Sequence, residues 1–296
     1  MGMAPYGKPR HVEKVWKLLT LGDDGSFRLN MESFSFHYFA RHTYNHRFVE
    51  LFGPERPPGL HFFTRESGYP SYFGPKPADY EQLSDRNEYY ADIASSIQRV
   101  TEEVLLHMAR ALHKETGKTR LCMAGGVALN SVANGRILRE TPFKELYVQP
   151  AAGDGGGAVG AALYAYHQLL GQPRGFVMEH AYWGKAYSQG EAVDWLRSEN
   201  IAHEVLSSED RMLDRVVESL TKGEVVGWHQ GRFEWGPRAL GCRSIIADAR
   251  RADMKDIVNT KIKFREPYRP FAPSVLADAA ERYFDLPNAC KHYPAR

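Results

Sequence analysis

The longest periodic run of apolar residues extends from Leu83 to Glu115 and predicts a single helix. Its apolar side chains recur at steps of three and four: Ile93, Ile97, Val100, Val104, Met108 and Leu112. The run contains no proline, and Gly117 supplies a C-terminal stop signal. We expect a helix of this length to lie across a sheet and to act as scaffolding.

Two repeats of strand, glycine turn and helix follow this run. The first consists of a short buried strand, TRLCMAGG (119–126), and a helix, VALNSVANGRILRE (127–140). The second consists of a strand, ELYVQP (145–150), and a glycine turn that opens into an alanine-rich helix, AAGDGGGAVGAALYAYHQLL (151–170). This order indicates an α/β fold with a mostly parallel sheet, in which ligands bind at the carboxyl ends of the strands.

A boundary is predicted at GQPRGF (171–176), where Gly, Gln and Pro follow a long helix. It divides the chain into domains 1–175 and 176–296. Beyond it we predict a serine-capped helix, a strand, a second helix and a second strand: SQGEAVDWLRSEN (188–200), AHEVLS (202–207), SEDRMLDRVVESLTKG (208–223) and VVGWHQ (225–230). Residues 1–80 show little periodicity and are read as loops and short elements.

The composition narrows the class of protein. A chain of 296 residues with 43% hydrophobic and 25% charged residues is typical of a globular protein. No apolar run approaches the roughly 20 residues that span a bilayer, and the N-terminus has no apolar signal region. Three scattered cysteines indicate neither a zinc site nor a disulfide framework. We therefore predict a reduced, cytoplasmic protein with no membrane partner.

Positive charge is concentrated between His229 and Arg269, where ten Lys or Arg face five Asp or Glu, a net charge of +5. The charges occur at irregular spacings among apolar and glycine residues, whereas a groove-reading helix would repeat them every turn. This pattern favours a nucleotide or acyl-phosphate pocket over a nucleic-acid surface. A chain that binds RNA would also be expected to be more basic than the observed net charge of +2.

Within this basic stretch, three cations are the predicted catalytic set. Arg238 follows Gly236-Pro237, where the proline restrains the backbone, and Arg269 follows the EPY turn. Lys263 and Arg265 are two apart and would share one face of an extended strand. Such cations can surround a phosphate and a developing oxyanion. Arg232, Arg243 and Arg265 are weaker candidates, since any of them could pair with Glu234 or Glu266 as a surface bridge.

The two glycine turns are the other candidate sites. Gly125 and Gly126 precede a helix, where backbone N–H groups can approach an anion, and Asn130 follows them. Asp154 lies among glycines that include Gly155 and Gly156, so its carboxylate can reach a metal ion or a metal-bound phosphate. The alternative is that Asp154 caps the helix beginning at Gly155. We favour the metal role, because a cap does not require three further glycines.

His42 and His46 are four residues apart and would share a helix face, as metal-binding pairs do. Aromatic neighbours and the absence of an HExxH pattern favour packing over metal binding.

Two pairs of segments carry a resemblance to a known family. They are GRFEWGPRALGCRSIIAD (231–248) with NTKIKFREPYRPFAPSVL (259–276), and AGGVALNSVANGRIL (124–138) with VQPAAGDGGGAVGAAL (148–163). The first pair resembles the YrdC-like domain of the NodU/CmcH-type O-carbamoyltransferases. The second pair resembles the second half of their actin-like domain. MGMAPYG matches too, so the resemblance covers Met1 to about Leu286, and both ends of the family's pattern are expected to lie outside this chain.

The resemblance implies roles for individual residues. Asp154 would bind the catalytic metal, as the aspartate of the GDGG turn does in the family. Five residues of the glycine turns would line the nucleotide site: Gly125, Gly126, Asn130, Gly155 and Gly156. Arg238, Lys263 and Arg269 would grip carbamoyl phosphate and the adenylate. Arg232, Arg243 and Arg265 would assist as cofactor-binding residues.

The chemistry implied by the family has two steps. Carbamoyl phosphate, ATP and Mg²⁺ would give a carbamoyl-adenylate and pyrophosphate in the YrdC-like domain. The carbamoyl group would then pass to a hydroxyl of a small-molecule acceptor near Asp154 and a divalent metal, with Fe²⁺ as one candidate. The partner is expected to be a second copy or a complementary chain, and the chain alone is expected to be inactive if it is truncated. The alternatives are a tRNA threonylcarbamoylation-type enzyme and a non-catalytic nucleotide-binding remnant.

Overall fold

The structure is a computed structural model, which describes residues 2–284. The chain forms two compact units. Unit 1 comprises Met1–Thr119, Val132–Phe143 and Phe264–Ala272. Unit 2 comprises Arg120–Ser131, Lys144–Lys263 and Pro273–Arg296. The division at residue 175 expected from sequence stays a prediction.

Short helices and two-stranded sheets accompany one long helix. The helices are α1 (Val12–Trp16), α2 (His46–Phe52), α3 (Tyr80–Thr116), α4 (Ser131–Glu140), α5 (Gly156–Tyr164), α6 (Gln189–Ser198), α7 (Glu209–Thr221), α8 (Met254–Ile257) and α9 (Ala280–Tyr283). The strands are β1 (Leu19–Leu21), β2 (Phe27–Leu29), β3 (Arg120–Met123), β4 (Glu145–Val148), β5 (Val226–His229) and β6 (Arg243–Ile246). The fold class is therefore mixed α/β.

Helix α3 confirms the predicted long helix and organises unit 1. It ends where Gly117 adopts φ 62° and donates its N–H to His113 O at 2.8 Å, as a left-handed C-terminal stop does. Val100 and Val104 pack with α1 and α2 in one core cluster. The sheet beside α3 in unit 1 is the antiparallel β1–β2 hairpin, whose Gly22 O lies 2.8 Å from His107 Nε2. The expected larger sheet under this helix is not found among the described residues.

Unit 2 contains the predicted parallel strands. β3 and β4 pair in parallel from Arg120↔Glu145 to Met123↔Val148, and α4 lies between them in the chain. The pairing confirms the strand, turn, helix order read from sequence. β5 and β6 form a separate antiparallel pair, from Val226↔Ile246 to His229↔Arg243.

The capped helices of unit 2 are also confirmed. Ser188 accepts the N–H of Glu191, whose side chain returns to the Ser188 backbone in a capping box at the start of α6. Ser208 caps α7 by accepting the N–H of Arg211. The strand predicted at 202–207 is wrong, because this segment is irregular and meets no partner strand within residues 2–284. A strand forms only where another strand pairs with it, so the local β-propensity of residues 202–207 was not sufficient to make them a strand.

Among residues 2–284, no helix combines the length and the apolar character that crossing a membrane requires.

Candidate functional site

Three turns that the sequence singled out come together in unit 2, at the carboxyl end of β4. The Gly125 N–H donates to Ala152 O at 2.6 Å, which joins the first glycine turn to the second. Ala128, Val148 and Ala152 form a small buried cluster beneath these two turns. The third turn, Trp235–Arg238, meets the same place through Gly236. The carboxyl end of a parallel strand pair is where α/β folds bind ligands.

Two of the glycines are required by the close approach of backbone. A Cβ on Gly236 would lie 2.6 Å from Pro150 O, and Gly236 has φ +129°, which side chains with a Cβ rarely adopt. A Cβ on Gly156 would lie 2.2 Å from Ala151 O. These glycines bring α5 and the Trp235–Arg238 turn against the Pro150–Ala151 backbone. The glycines thus fix how the turns pack, in addition to any role in ligand binding.

Asp154 lies at the start of α5 with its side chain exposed. The N-cap position of α5 is occupied by Gly155, and no side chain caps this helix among the described residues. The cap alternative for Asp154 is therefore not supported. Within residues 2–284 no group of three or more His, Cys, Asp or Glu could hold a metal ion. The described residues supply one carboxylate at this turn but do not by themselves make a metal site.

The first glycine turn is only partly open to a ligand. The N–H of Gly125 is engaged with Ala152 O, and the N–H of Asn130 donates to Val127 O at 2.9 Å. Gly126 begins a short 3₁₀ turn, Gly126–Leu129, that leads into α4. A Cβ on Gly126 would meet nothing within 4 Å, so this side of the turn faces open space.

Trp235 is a site residue that the sequence reasoning did not identify. Its indole Nε1 lies 4.0 Å from where a Cβ on Gly155 would be, and the backbone N–H of Trp235 donates to Ala181 O at 2.7 Å. Met178 lies in the same segment as Ala181. Its sulfur lies 3.6 Å from Gln149 Nε2, and this contact attaches the segment to the end of β4. The position of Trp235 inside the WGPR turn was the available signal.

Glu234 holds the loop that carries Arg238. One carboxylate oxygen accepts the backbone N–H groups of Leu240 at 2.8 Å, Cys242 at 2.7 Å and Arg243 at 3.3 Å. The loop is thus closed around a carboxylate by charge-assisted bonds, and Arg238 is exposed on it. The sequence left open a surface ion pair between an arginine and Glu234. The structure shows Glu234 accepting these backbone N–H groups in its place.

Arg243 holds its own turn together. Its guanidinium donates to the carbonyls of Gln230 at 2.8 Å, Gly231 at 2.9 Å and Cys242 at 2.9 Å, and it lies 4.0 Å above the Phe233 ring. These bonds are typical of a structural arginine. Arg232 is exposed and forms an isolated β-bridge with Ala186.

The predicted strand through Lys263 and Arg265 is wrong. Lys263 ends the helical turn that follows α8, and Phe264 has φ 48°, in the left-handed region. The backbone is therefore not extended, and the two side chains do not share a strand face. Lys263 belongs to unit 2 and Arg265 to unit 1.

Arg265 and Arg269 lie in the part of unit 1 that ends at Ala272. Arg269 Nε donates to Glu266 at 2.7 Å, which holds the pKa of Glu266 below its usual value. Burial, and then the charge of Arg269, lower the pKa of Arg265. Arg265 also lies 4.7 Å from the Phe271 ring centre.

The predicted helix face shared by His42 and His46 is not formed. Helix α2 begins at His46, after Asn45 accepts the N–H of Arg47, so His42 lies outside it. His42 stacks on Phe39 with ring centres 5.6 Å apart. The packing interpretation is the one the structure supports.

The fold and the three turns define an α/β protein whose glycine turns meet at the end of a parallel strand pair. Two family models match the chain: Carbamoyltransferase N-terminus over residues 1–163 and Carbamoyltransferase C-terminus over residues 217–294. The chain belongs to the carbamoyltransferase family.

Several curated proteins are similar to the chain along most of its length. An uncharacterized protein of Synechocystis sp. is 44% identical over 294 residues, which is 97% of this chain and 44% of that protein. The nodulation protein NolO of Bradyrhizobium diazoefficiens is 34% identical over 99% of this chain and 47% of its own length. The 3'-hydroxymethylcephem-O-carbamoyltransferase of Streptomyces clavuligerus is 34% identical over 59% of this chain and 32% of its own length. The chain spans less than half the length of these relatives.

Proposed function

We propose that the chain acts in O-carbamoyl transfer, moving a carbamoyl group from carbamoyl phosphate to a hydroxyl of a small molecule through a carbamoyl-adenylate. The observation that carries the proposal is the meeting of three turns at the end of β4, in a chain of the carbamoyltransferase family. The name of the Streptomyces clavuligerus relative adds support for a hydroxyl acceptor.

Two domains would divide this chemistry. We propose that residues 1–175 correspond to the second half of an actin-like domain and residues 176–296 to part of a YrdC-like domain. The parallel β3–β4 pair and its glycine turns agree with the first assignment. The basic stretch after β5 supports the second.

Adenylation would take place among the cations. One carbamoyl phosphate, one ATP and one water give carbamoyl-adenylate, pyrophosphate and phosphate, so negative charge builds up on departing phosphoryl groups. Arg238 and Lys263 in unit 2 are exposed cations that would oppose that charge. Arg269, an exposed cation of unit 1, is proposed to grip carbamoyl phosphate. Arg232 would assist in unit 2 and Arg265 in unit 1, while Arg243 would hold the turn that carries Arg232.

The nucleotide would lie against the glycine turns. Gly126, Gly155 and the side chain of Asn130 remain candidates to contact it, and Trp235 adds an aromatic surface beside Gly155. Gly125 and Gly156 would act by packing the turns. Mg²⁺ would accompany ATP and neutralise phosphate charge.

Asp154 remains the proposed ligand of a divalent metal. Such a metal would need ligands beyond those that the described residues supply. The acceptor would be a hydroxyl-bearing small molecule, and a second copy or a complementary chain would be the protein partner. The proposed compartment is the cytoplasm.

The test is turnover by the purified chain. We expect ATP-dependent release of inorganic phosphate from carbamoyl phosphate above the uncatalysed rate. No release, with ATP still bound, would favour the nucleotide-binding remnant. Salt-sensitive binding of tRNA would favour the threonylcarbamoylation alternative, because phosphate contacts weaken steeply as salt rises.

A further inference from the structure

Unit 1 contains a group of charged side chains formed by two segments that are far apart in sequence. One segment carries Arg56, and the other carries Arg265, Glu266, Tyr268 and Arg269. The Tyr268 ring meets the Phe62 ring edge-on at 4.9 Å and lies 3.4 Å from where a Cβ on Gly2 would be. The second segment therefore packs on the aromatic part of the first.

Arg56 has an unusual environment in this group. Its Nε is buried and has no hydrogen-bond partner among the residues the structure describes. One of its terminal N–H groups donates to Leu60 O, which fixes the orientation of the guanidinium. A buried N–H donor without a partner costs roughly 1–3 kcal/mol, more when the group is charged. This donor is therefore available to a bound acceptor.

The electrostatics of the group point to an anion. Its three arginines and one glutamate carry three positive charges and one negative charge, a net charge of +2. The hydrogen bond from Arg269 is the largest cause that lowers the pKa of Glu266, and the charge of Arg56 is a further cause. Arg56 therefore acts electrostatically on this group. Burial, and then the charge of Glu266, raise the pKa of Tyr268.

We propose that Arg56, Arg265 and Arg269 form a binding site in unit 1 for a tetrahedral, phosphate-type dianion, with Arg56 as a ligand-contacting residue that no sequence pattern assigns. Three guanidinium groups suit phosphate because each presents a planar fork of donors to its oxygens. The inference deepens the proposed function, on which the identity of the phosphoryl ligand rests. The ligand would be either the phosphoryl group of carbamoyl phosphate or the inorganic phosphate released from it.

Calorimetric titration of the purified full chain with inorganic phosphate tests the site directly. Arg56→Gln should weaken phosphate binding by about 10- to 100-fold, as expected for lost bonds to a charged group. Arg56→Lys should give a smaller loss, because it retains the charge without the fork. Arg65→Gln is the matched control: Arg65 lies in the same unit, is 54% exposed and pairs with Glu81 and Asp85. It should leave phosphate binding unchanged.

Because Arg56 also holds Leu60 O, circular dichroism and thermal melting of each variant accompany the titration. A double-mutant cycle then separates a shared ligand from independent effects. If Arg56 and Arg269 contact one anion, Arg56→Gln and Arg269→Gln together should weaken binding by clearly less than the product of the single losses. Unchanged phosphate affinity in folded Arg56→Gln, or in Arg56→Lys where the Gln variant does not fold, would overturn the site.

A parallel titration with carbamoyl phosphate separates the two sources of the ligand. Tighter binding of carbamoyl phosphate, with the same dependence on Arg56, identifies the substrate as the ligand. Equal binding of both identifies the released phosphate. Arg56-dependent phosphate binding without carbamoyl phosphate turnover would uphold the site and refute the proposed function. Turnover that is unaffected by Arg56→Gln, with no phosphate binding, would refute the site and uphold the proposed function.

Discussion

Among the described residues, unit 1 buries Phe63, Leu106 and Phe143 to 1% exposure each, whereas the buried apolar residues of unit 2 are mostly alanines. In unit 2, Leu169 and Val177 are 71% and 75% exposed. Unit 2 instead depends on close backbone approaches, such as those of Gly156 and Gly236 to the Pro150–Ala151 segment. Side-chain packing thus stabilises unit 1, while the absence of side chains shapes the turns of unit 2.

Their ion pairs differ in the same way. Arg136 in unit 1 has a side chain only 13% exposed, and it bonds Glu140 through two donors and Glu102 and Glu103 through a third. Arg250 in unit 2 is 76% exposed and pairs with Asp248 beside it in sequence. Exposed pairs typically contribute little, while a buried charge that loses its partner is costly. The two units should therefore respond differently to charge removal.

The largest effect is expected at Arg136. Arg136→Met leaves Glu102, which is 9% exposed, without this cation and should lower the free energy of unfolding by about 3–5 kcal/mol. Arg99→Met removes a half-exposed pair to Glu103 and is the matched control. Urea denaturation measures both. Equal losses of unfolding free energy in the two variants would show that the largely buried Arg136 network contributes no more to the stability of unit 1 than the half-exposed Arg99 pair.

The next effect concerns catalysis. Lys263→Ala should slow carbamoyl phosphate-dependent release of pyrophosphate from ATP by ~10²–10³, the loss typical of removing a group that opposes developing charge. Lys255→Ala, on α8 in the same basic stretch, should cost little. Equal and small losses at both positions would indicate a diffuse electrostatic surface and would favour the nucleic-acid alternative.

A smaller effect separates the glycines of α5. Gly156→Ala places a Cβ 2.2 Å from Ala151 O and should cost about 1–3 kcal/mol, as overpacking does. A Cβ on Gly160 meets nothing within 4 Å, so Gly160→Ala should stabilise the helix by up to about 1 kcal/mol. Thermal melting decides between the two signs. Stabilisation by both substitutions would mean that the approach to Ala151 O is not a constraint.

The smallest effect is expected at the exposed pair of unit 2. Hydrogen bonds from Arg250 lower the pKa of Asp248 from 3.8 to about 2. Because the pKa is lowered on folding, the pair contributes only above the unfolded value and is lost as pH falls from about 4 toward 2. Arg250→Gln should raise the pKa of Asp248 toward 3.8 in a carboxyl NMR titration, without a measurable change in melting temperature at pH 7. A large drop in melting temperature would contradict the contrast with Arg136.

Local patterns predicted the elements better than their contacts. Helix α3 was predictable because its apolar stripe is long and ends at Gly117, and the capped helices because Ser188 and Ser208 precede them. The strand at 202–207 and the strand face at Lys263 were not, because strand pairing and the left-handed Phe264 depend on distant or neighbouring context. For the same reason, no local pattern indicated which carbonyls Gly156 and Gly236 approach.

The site was predictable to a similar degree. The glycine turns were identified as candidates, but their meeting at Pro150–Ala151 joins segments more than 80 residues apart. Neither Trp235 nor Arg56 stood out, since a single aromatic or basic residue in a turn has no local signature. Asp154 could not be tested as a metal ligand by position alone, because a metal site needs several ligands together.

The most direct test of the central claim is isotope exchange between pyrophosphate and ATP, catalysed by the purified chain. A carbamoyl-adenylate forms reversibly with pyrophosphate, so labelled pyrophosphate should enter ATP only when carbamoyl phosphate is present. The same exchange should fall sharply in Lys263→Ala and persist in Lys255→Ala. Release of ADP in place of pyrophosphate, or exchange that does not depend on carbamoyl phosphate, would contradict the proposed adenylate.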